Sequence, residues 1–160
     1  MPVAFAHPCL LVPDLEKARR FYRDMFGFEL VSERNSQGPE KSGSPADPGD
    51  CTCRAYMMKA QNCSLELVES REPFAEPPLM NFRDAQDPGL HHLSFYVDDC
   101  WGEYRRFQEL GGFAMGIPAG DARHGYSVFC RDPFGNIMEL TERPRPETIQ
   151  SHLPDGTTPN

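Results

Sequence analysis

Eight residues decide how this chain folds: His92-Leu93-Ser94-Phe95-Tyr96-Val97-Asp98-Asp99. A related stretch lies earlier in the chain and reads His7-Pro8-Cys9-Leu10-Leu11-Val12-Pro13-Asp14. The shift in numbering that pairs His7 with His92 also pairs Gly27 with Gly112. Self-similarity at a fixed spacing indicates a structural repeat. Each copy is predicted to run through a strand, a helix, a glycine turn and a second strand.

The helix of each copy can be predicted from local signals. Asp14 and Asp99 suit the N-cap position, because a carboxylate there accepts hydrogen bonds from the free N–H groups of the first turn. Apolar residues at helical spacing then form one face of each helix. They are Ala18, Phe21, Tyr22, Met25 and Phe26 in the first copy, and Trp101, Tyr104, Phe107 and Leu110 in the second. Glycines are predicted to end both helices, at Gly27 and at Gly111–Gly112.

The two copies also end alike, with Ser64–Glu69 resembling Ile137–Glu142. The shift that pairs these two segments is smaller than the shift that pairs His7 with His92. The first copy must therefore carry an insertion that the second copy lacks. Residues 35–50 are rich in glycine and proline and are the candidate insertion. They are predicted to form a loop, which could be a tether without a role or a lid over a site.

The predicted strands and helices give one domain over residues 1–142. Module one spans about 3–70, with strands at 3–12, 28–34, 52–59 and 63–69 and a helix at 14–26. A short helix is predicted at 79–84. Module two spans about 88–142, with strands at 90–97, 113–117, 125–130 and 136–142 and a helix at 99–110. The proline-rich residues 143–160 are predicted to form a flexible tail.

Side-chain alternation and, for His7, the repeat place four polar residues on the strand faces opposite the helices. They are His7, Glu66, His92 and Glu139. A carboxylate in an otherwise apolar strand is costly to bury without a partner. Two histidines and two glutamates at equivalent positions suggest a shared divalent cation, since imidazole nitrogen and carboxylate oxygen bind zinc, iron, manganese, cobalt and nickel.

Each candidate ligand also has a structural alternative. His7 could be an exposed histidine near the N-terminus, and His92 a hydrogen-bonded core histidine. Glu66 and Glu139 could face solvent, as one face of an antiparallel sheet often does. His91 is predicted to face the helices, in a structural or supporting role. His124 is left unassigned.

Composition and charge exclude several classes of function. The formal net charge is −8, without a cluster of lysine or arginine, which opposes binding to nucleic acid or to an anionic membrane. No apolar run approaches the roughly 20 residues of a membrane helix. Residues 1–7 lack the features of a signal peptide, so a cytoplasmic location is expected. The six cysteines are expected to be free thiols, with Cys9, Cys63 and Cys130 in the core.

The chain resembles the vicinal oxygen chelate superfamily over about residues 4–142. This superfamily includes glyoxalase I, methylmalonyl-CoA epimerase, extradiol dioxygenases and bleomycin-resistance proteins. The most specific matches are His7, the segments Val12–Glu16 and Phe21–Phe28, Gly89–Asp99, and Arg131–Leu140. Together these motifs are specific for the superfamily but not for one reaction.

The resemblance implies an α+β fold, in which paired βαβββ modules form a curled mixed β-sheet cup with the helices on the outside. It places the family's metal ligands on His7, His92 and Glu139, and the fourth ligand of the glyoxalase and epimerase members on Glu66. One divalent metal ion (Fe, Zn, Ni, Co or Mn) and a homodimer are implied. The cup could form within one chain or between two chains. The turn Asp132–Asn136 is expected to aim Glu139.

Three functions are compatible with this resemblance. The first is a lyase or isomerase, in which the metal binds two neighbouring oxygens of a small-molecule substrate and stabilises an enediolate, while Glu66 or Glu139 transfers the proton. The second is an extradiol-type Fe(II) dioxygenase, for which His7, His92 and Glu139 suffice. The third is a binding protein that confers resistance without turnover. The four filled ligand positions favour an enzyme, and the presence of Glu66 favours the lyase or isomerase.

Overall fold

The fold is described by a computed structural model for residues 4–36, 53–69 and 89–142. The chain divides into two compact units, residues 1–82 and 83–160, which we call module one and module two. The predicted helix at 79–84, the predicted tail at 143–160 and most of the predicted loop at 35–50 lie outside the described residues.

Module one consists of β1 (Cys9–Val12), α1 (Leu15–Phe26), β2 (Glu29–Ser36), β3 (Cys53–Lys59) and β4 (Ser64–Glu69). Its sheet has the order β1-β4-β3-β2. The first and last strands, β1 and β4, are parallel neighbours, and the other pairs are antiparallel. This arrangement confirms the predicted βαβββ module.

Module two repeats the pattern with β5 (Leu93–Val97), α2 (Cys100–Glu109), β6 (Phe113–Ala114), β7 (Ala119–Asp121), β8 (Gly125–Arg131) and β9 (Ile137–Glu142). Its sheet has the order β5-β9-β8-β6, and β7 also pairs with β8. Again the first and last strands are parallel neighbours. The predicted α+β fold of paired modules is confirmed.

The edge of the module-two sheet is predicted to be a single strand at 113–117. In the structure it consists of two short strands, β6 and β7. β6 ends at Ala114, and pairing with β8 resumes only at Ala119. Pro118 lies in the gap and has no N–H to donate to a neighbouring strand, which accounts for the interruption. β6 and β7 together therefore take the place that β2 has in module one.

Helix α1 begins and ends as its sequence predicts. The Asp14 side chain accepts a hydrogen bond from the Lys17 N–H at 2.9 Å. Gly27 ends the helix with φ at 71°, a left-handed conformation that glycine adopts without steric cost. The buried face contains Leu15, Ala18, Phe21, Tyr22 and Met25. It packs against β3 and β4, where Tyr56, Met58, Leu65 and Leu67 are buried.

Helix α2 is capped as predicted, with the Asp99 side chain accepting from the Gly102 N–H at 2.9 Å. Its predicted apolar face is only partly correct, because just Cys100 and Phe107 are buried. These two residues are two helical turns apart and lie on one face of the helix. Trp101 is 39% exposed, so its predicted place in the core is wrong.

The four cysteines whose burial the structure describes divide into two groups. Cys130 is buried as predicted, and Cys100 is buried beside it in module two. Burial raises the pKa of both thiols to about 11, so neither is a thiolate at neutral pH. Cys9 and Cys63 are exposed, and the prediction of these two in the core is wrong. Cys9 lies opposite Glu66 in the β1–β4 ladder, on the face away from the helix.

One glutamate at the end of each module ties the last strand to the helix N-terminus. Glu69 accepts from the Leu15 N–H at 3.4 Å, and Glu142 accepts from the Cys100 N–H at 3.1 Å. Leu15 and Cys100 are equivalent positions of the repeat. Negative charge at a helix N-terminus is stabilising because the first N–H groups have no partner within the helix.

We expect Glu142→Ala to destabilise the protein by about 2 kcal/mol, because two backbone N–H groups lose their acceptor. The second is that of Tyr126, which donates to Glu142 at 3.0 Å. Urea denaturation would measure the change against Glu109→Ala, which alters an exposed glutamate of α2. Equal stability of the two variants would contradict this role for Glu142.

Neither α1 nor α2, the helices within the described residues, is long and apolar enough to cross a membrane.

Candidate metal centre

The first pair of predicted ligands lies within module one. The parallel register of β1 and β4 places Cys9 beside Glu66, and the Glu66 N–H donates to the Pro8 carbonyl at 3.0 Å. His7 lies just before the start of β1. Its Nε2 atom is 3.7 Å from Oε2 of Glu66.

The second pair lies at the corresponding place in module two. β5 and β9 are parallel, with Ser94 opposite Glu139, and His92 immediately precedes β5. Nε2 of His92 is 3.5 Å from Oε2 of Glu139. The same two atom types therefore face each other at nearly the same distance in both modules. We call each His–Glu pair a half-site.

Burial and chemistry in both half-sites suit a metal ligand. The side chains of His7 and His92 are each 32% exposed, whereas those of Glu66 and Glu139 are 17% and 22% exposed. The atoms that face each other are an imidazole nitrogen and a carboxylate oxygen, which are the donors that divalent transition metals prefer. The residues thus fit the predicted ion.

Each half-site supplies two donors. Among the described residues, no group of three or more His, Cys, Asp or Glu side chains could hold a metal ion by itself. The structure brings His7 to Glu66 in module one and His92 to Glu139 in module two. The assignment of all four residues to one ion stays a prediction.

Arg34 is a neighbour of the module-one half-site that the sequence analysis missed. Its Nη2 atom donates to Oε1 of Glu66 at 3.0 Å, which leaves Oε2 facing His7. Arg34 is on β2, two strands away from β4, and the contact depends on the register of both antiparallel pairs. Alternation from Leu30, which pairs with the buried Met58, would place Arg34 on the helix face, and the bulge between Leu30 and Ser32 moves it to the face of Glu66.

His91 and Phe129 adjoin the module-two half-site. His91 is exposed, so the prediction that it faces the helices is wrong. Its Nδ1 atom lies 2.9 Å from Nδ1 of His92. The Phe129 ring packs edge-on against His92, with centroids 5.2 Å apart. Phe129 is the β8 residue opposite Glu139 in the ladder, so it flanks both members of the half-site.

His124, unassigned from sequence, belongs to a different local structure. Its Nδ1 atom is 2.9 Å from Oδ2 of Asp121, and its backbone N–H also bonds to that carboxylate. These hydrogen bonds hold the pKa of Asp121 well below its usual range, at about 2. The pair stabilises the exposed turn between β7 and β8. Among the described residues, the structure records no contact between this pair and a half-site.

The turn before β9 is organised as the motif Asp132–Asn136 predicts. Gly135 has φ at 95°, and its N–H donates to the Asp132 carbonyl at 3.0 Å. The side chain of Asp132 is fully buried and accepts from the backbone N–H groups of Phe134 and Asn136. The turn leads directly into β9. There Met138 pairs with Cys130 of β8, and the next residue, Glu139, pairs with Phe129.

Two βαβββ modules, each with a His–Glu pair on the sheet face opposite its helix, define the class of this protein. Residues 4–140 match the family model described as the Glyoxalase/Bleomycin resistance protein/Dioxygenase superfamily. The chain belongs to this superfamily.

Two curated relatives are enzymes by name. The chain is 29% identical over 150 residues to a lactoylglutathione lyase of Pseudomonas putida, covering 86% of this chain and 84% of the relative. It is 28% identical over 144 residues to an ethylmalonyl-CoA/methylmalonyl-CoA epimerase of Cereibacter sphaeroides, covering 85% and 95%. Among solved structures, a glyoxalase family protein from Bacillus cereus has the same fold, with a TM-score of 0.75 and 18% identity over 91% of this chain and 97% of that one.

Proposed function

We propose that this protein is a divalent-metal-dependent lyase or isomerase. In this proposal His7, Glu66, His92 and Glu139 hold one metal ion, and the substrate is a small molecule with two neighbouring oxygen atoms. The observation that carries the proposal is the equivalent pairing of Nε2 with Oε2 in the two modules. The lyase and epimerase relatives support the reaction class.

The charges of the four side chains are suited to a divalent ion. Two neutral imidazoles and two carboxylates would balance its charge of +2. When bound, the metal would act as a Lewis acid on the two substrate oxygens. Arg34 holds Glu66 through Oε1 and orients the other oxygen, in the way that supporting contacts fix metal ligands.

The protein's part in the reaction is the movement of one proton. A carboxylate oxygen of Glu139 or Glu66 would take the proton from the carbon next to the substrate carbonyl. The same carboxylate, or its counterpart, would return the proton to that carbon or to its neighbour. Return to the opposite face of the same carbon is an epimerisation, and return to the neighbouring carbon is an isomerisation.

An extradiol-type Fe(II) dioxygenase is the second candidate, and one observation favours it. The Arg34–Glu66 ion pair gives Glu66 a charged partner without a metal. His7, His92 and Glu139 would then form the two-histidine, one-carboxylate triad typical of non-haem iron.

Metal analysis combined with activity assays separates these functions. The protein would be purified under anaerobic conditions without a metal-binding tag. We expect one zinc, nickel, cobalt or manganese ion per chain, together with turnover of lactoylglutathione or methylmalonyl-CoA, the compounds in the relatives' names. Iron with oxygen uptake on catechols would identify a dioxygenase instead. A protein that takes up no metal on titration would contradict both enzymes and favour a binding protein.

The same preparation tests whether the protein is a homodimer. A homodimer and a cytoplasmic location stay predictions. Light scattering of the purified protein would measure the mass of the assembly against the 18.1 kDa of one chain.

A further inference from the structure

One difference between the two half-sites concerns the residue that precedes the histidine. His92 is preceded by His91, whereas His7 is preceded by Ala6. Alanine offers no side-chain hydrogen-bond partner. At this position module two has an imidazole where module one has a methyl group.

The contact between the two imidazoles restricts where their protons can be. Nδ1 of His91 and Nδ1 of His92 are 2.9 Å apart, which is the distance of a hydrogen bond. One of these nitrogens must carry a proton and the other must present its lone pair. Two arrangements of the neutral rings satisfy this condition, and they differ in the state of Nε2 of His92.

Only one of the two arrangements allows His92 to bind a metal ion. If Nδ1 of His92 carries the proton, Nε2 has its lone pair free and directed at the space beside Oε2 of Glu139, 3.5 Å away. If Nδ1 of His92 accepts instead, Nε2 carries the proton and cannot be a ligand. The partner of Nδ1 thus selects the form of the ring, as supporting hydrogen bonds do for metal-bound histidines.

We propose that His91 positions His92 for metal binding by accepting a hydrogen bond from Nδ1–H of His92, which leaves Nε2 of His92 free to bind. This proposal rests on the proposed function, because it requires His92 to be a ligand. His91 is exposed, so water can accept a hydrogen bond from the Nε2–H group that its ring has in this arrangement.

Phe129 fixes the geometry that the hydrogen bond needs. Its ring meets His92 edge-on at 77° and His91 at 86°, with centroid distances of 5.2 Å and 6.4 Å. The two imidazoles are themselves perpendicular, at 87°. Perpendicular ring packing of this kind is favourable and limits rotation of the rings.

Zinc affinity of the full-length protein, measured by competition with a chelating dye, tests the proposal. His91→Leu removes the acceptor and is expected to weaken zinc binding by about 10- to 100-fold. His91→Asn places an amide oxygen near the position of Nδ1 and is expected to restore most of the affinity. His124→Leu removes an exposed histidine outside both half-sites and serves as the control.

A spectroscopic measurement separates support through the hydrogen bond from a general structural effect. In the zinc-loaded protein, ¹⁵N NMR of the imidazole groups should show Nδ1 of His92 protonated, with its signal displaced in His91→Leu and kept in His91→Asn. If the wild type binds zinc and His92→Ala does not, but His91→Leu binds as tightly as the wild type, the positioning role is wrong and the metal site stands. If the wild type binds none of zinc, nickel, cobalt and manganese, the proposed function itself is overturned, and the positioning role with it.

Discussion

Glu139→Ala is expected to lower metal affinity by more than about 100-fold and to abolish turnover. Loss of a supporting residue around a metal ligand typically costs about 10- to 100-fold in affinity, and loss of the ligand itself should exceed this range. The Glu139 side chain is only 22% exposed and faces His92, so the variant leaves one donor of the half-site without its neighbour. Metal analysis after dialysis against a chelator would measure the loss, with the exposed Glu109→Ala as the matched control.

Glu66→Ala distinguishes a four-ligand site from a three-ligand site. For the proposed lyase or isomerase, this variant should lose metal as Glu139→Ala does. A dioxygenase with a three-ligand triad would keep its iron in Glu66→Ala and lose it in Glu139→Ala. Arg34→Met is a useful companion, because it removes the ion pair to Glu66 but keeps the carboxylate. Full metal retention in both glutamate variants would contradict the assignment of Glu66 and Glu139 as ligands.

Asp132→Ala is expected to have the largest effect on folding. The buried carboxylate accepts from the N–H groups of Phe134 and Asn136 and from the Asn136 side-chain amide, all at 2.8–2.9 Å. Each buried donor that loses its partner costs about 1–3 kcal/mol. We therefore expect a loss of at least about 3 kcal/mol, which would lower Tm by on the order of 10 °C. Calorimetry would measure it.

Two further variants define the cause of this loss. Asp132→Asn keeps one oxygen for the backbone donors but turns an N–H group toward the Asn136 amide, so an intermediate loss is expected. Asp98→Ala removes an exposed aspartate and should change Tm little. A change in Asp132→Ala no larger than that in Asp98→Ala would show that the turn Asp132–Asn136 does not depend on this carboxylate.

Most of the fold could be predicted because the signals repeat. Each module has its own helix cap, at Asp14 and at Asp99. Each also has the same alternation in its last strand, around Glu66 and around Glu139. The structure confirms both features in both modules. The break between β6 and β7 was not predicted, because a strand with Gly116 and Pro118 has no regular alternation. The exposure of Trp101 was also not predicted, because the helical pattern of α2 does not show which of its apolar residues face the sheet.

The candidate site could be predicted only in part, for a physical reason. Alternation determines the face on which a strand residue lies, but contacts between strands depend on register. Arg34 meets Glu66 only because two ladders align, and a bulge between Leu30 and Ser32 lies on one of them. His91 lies two residues before the start of β5, whereas His92 adjoins the strand, so the alternation of β5 does not extend to His91.

The parallel pairing of first and last strands within each module has a consequence for protein engineering. All ladders among the described residues join strands of the same module, so none requires module one to come before module two in the chain. A circularly permuted gene, encoding module two first and module one second, would preserve each of these ladders and both helix caps. The hydrogen bonds of these ladders therefore do not require module one to precede module two in the chain.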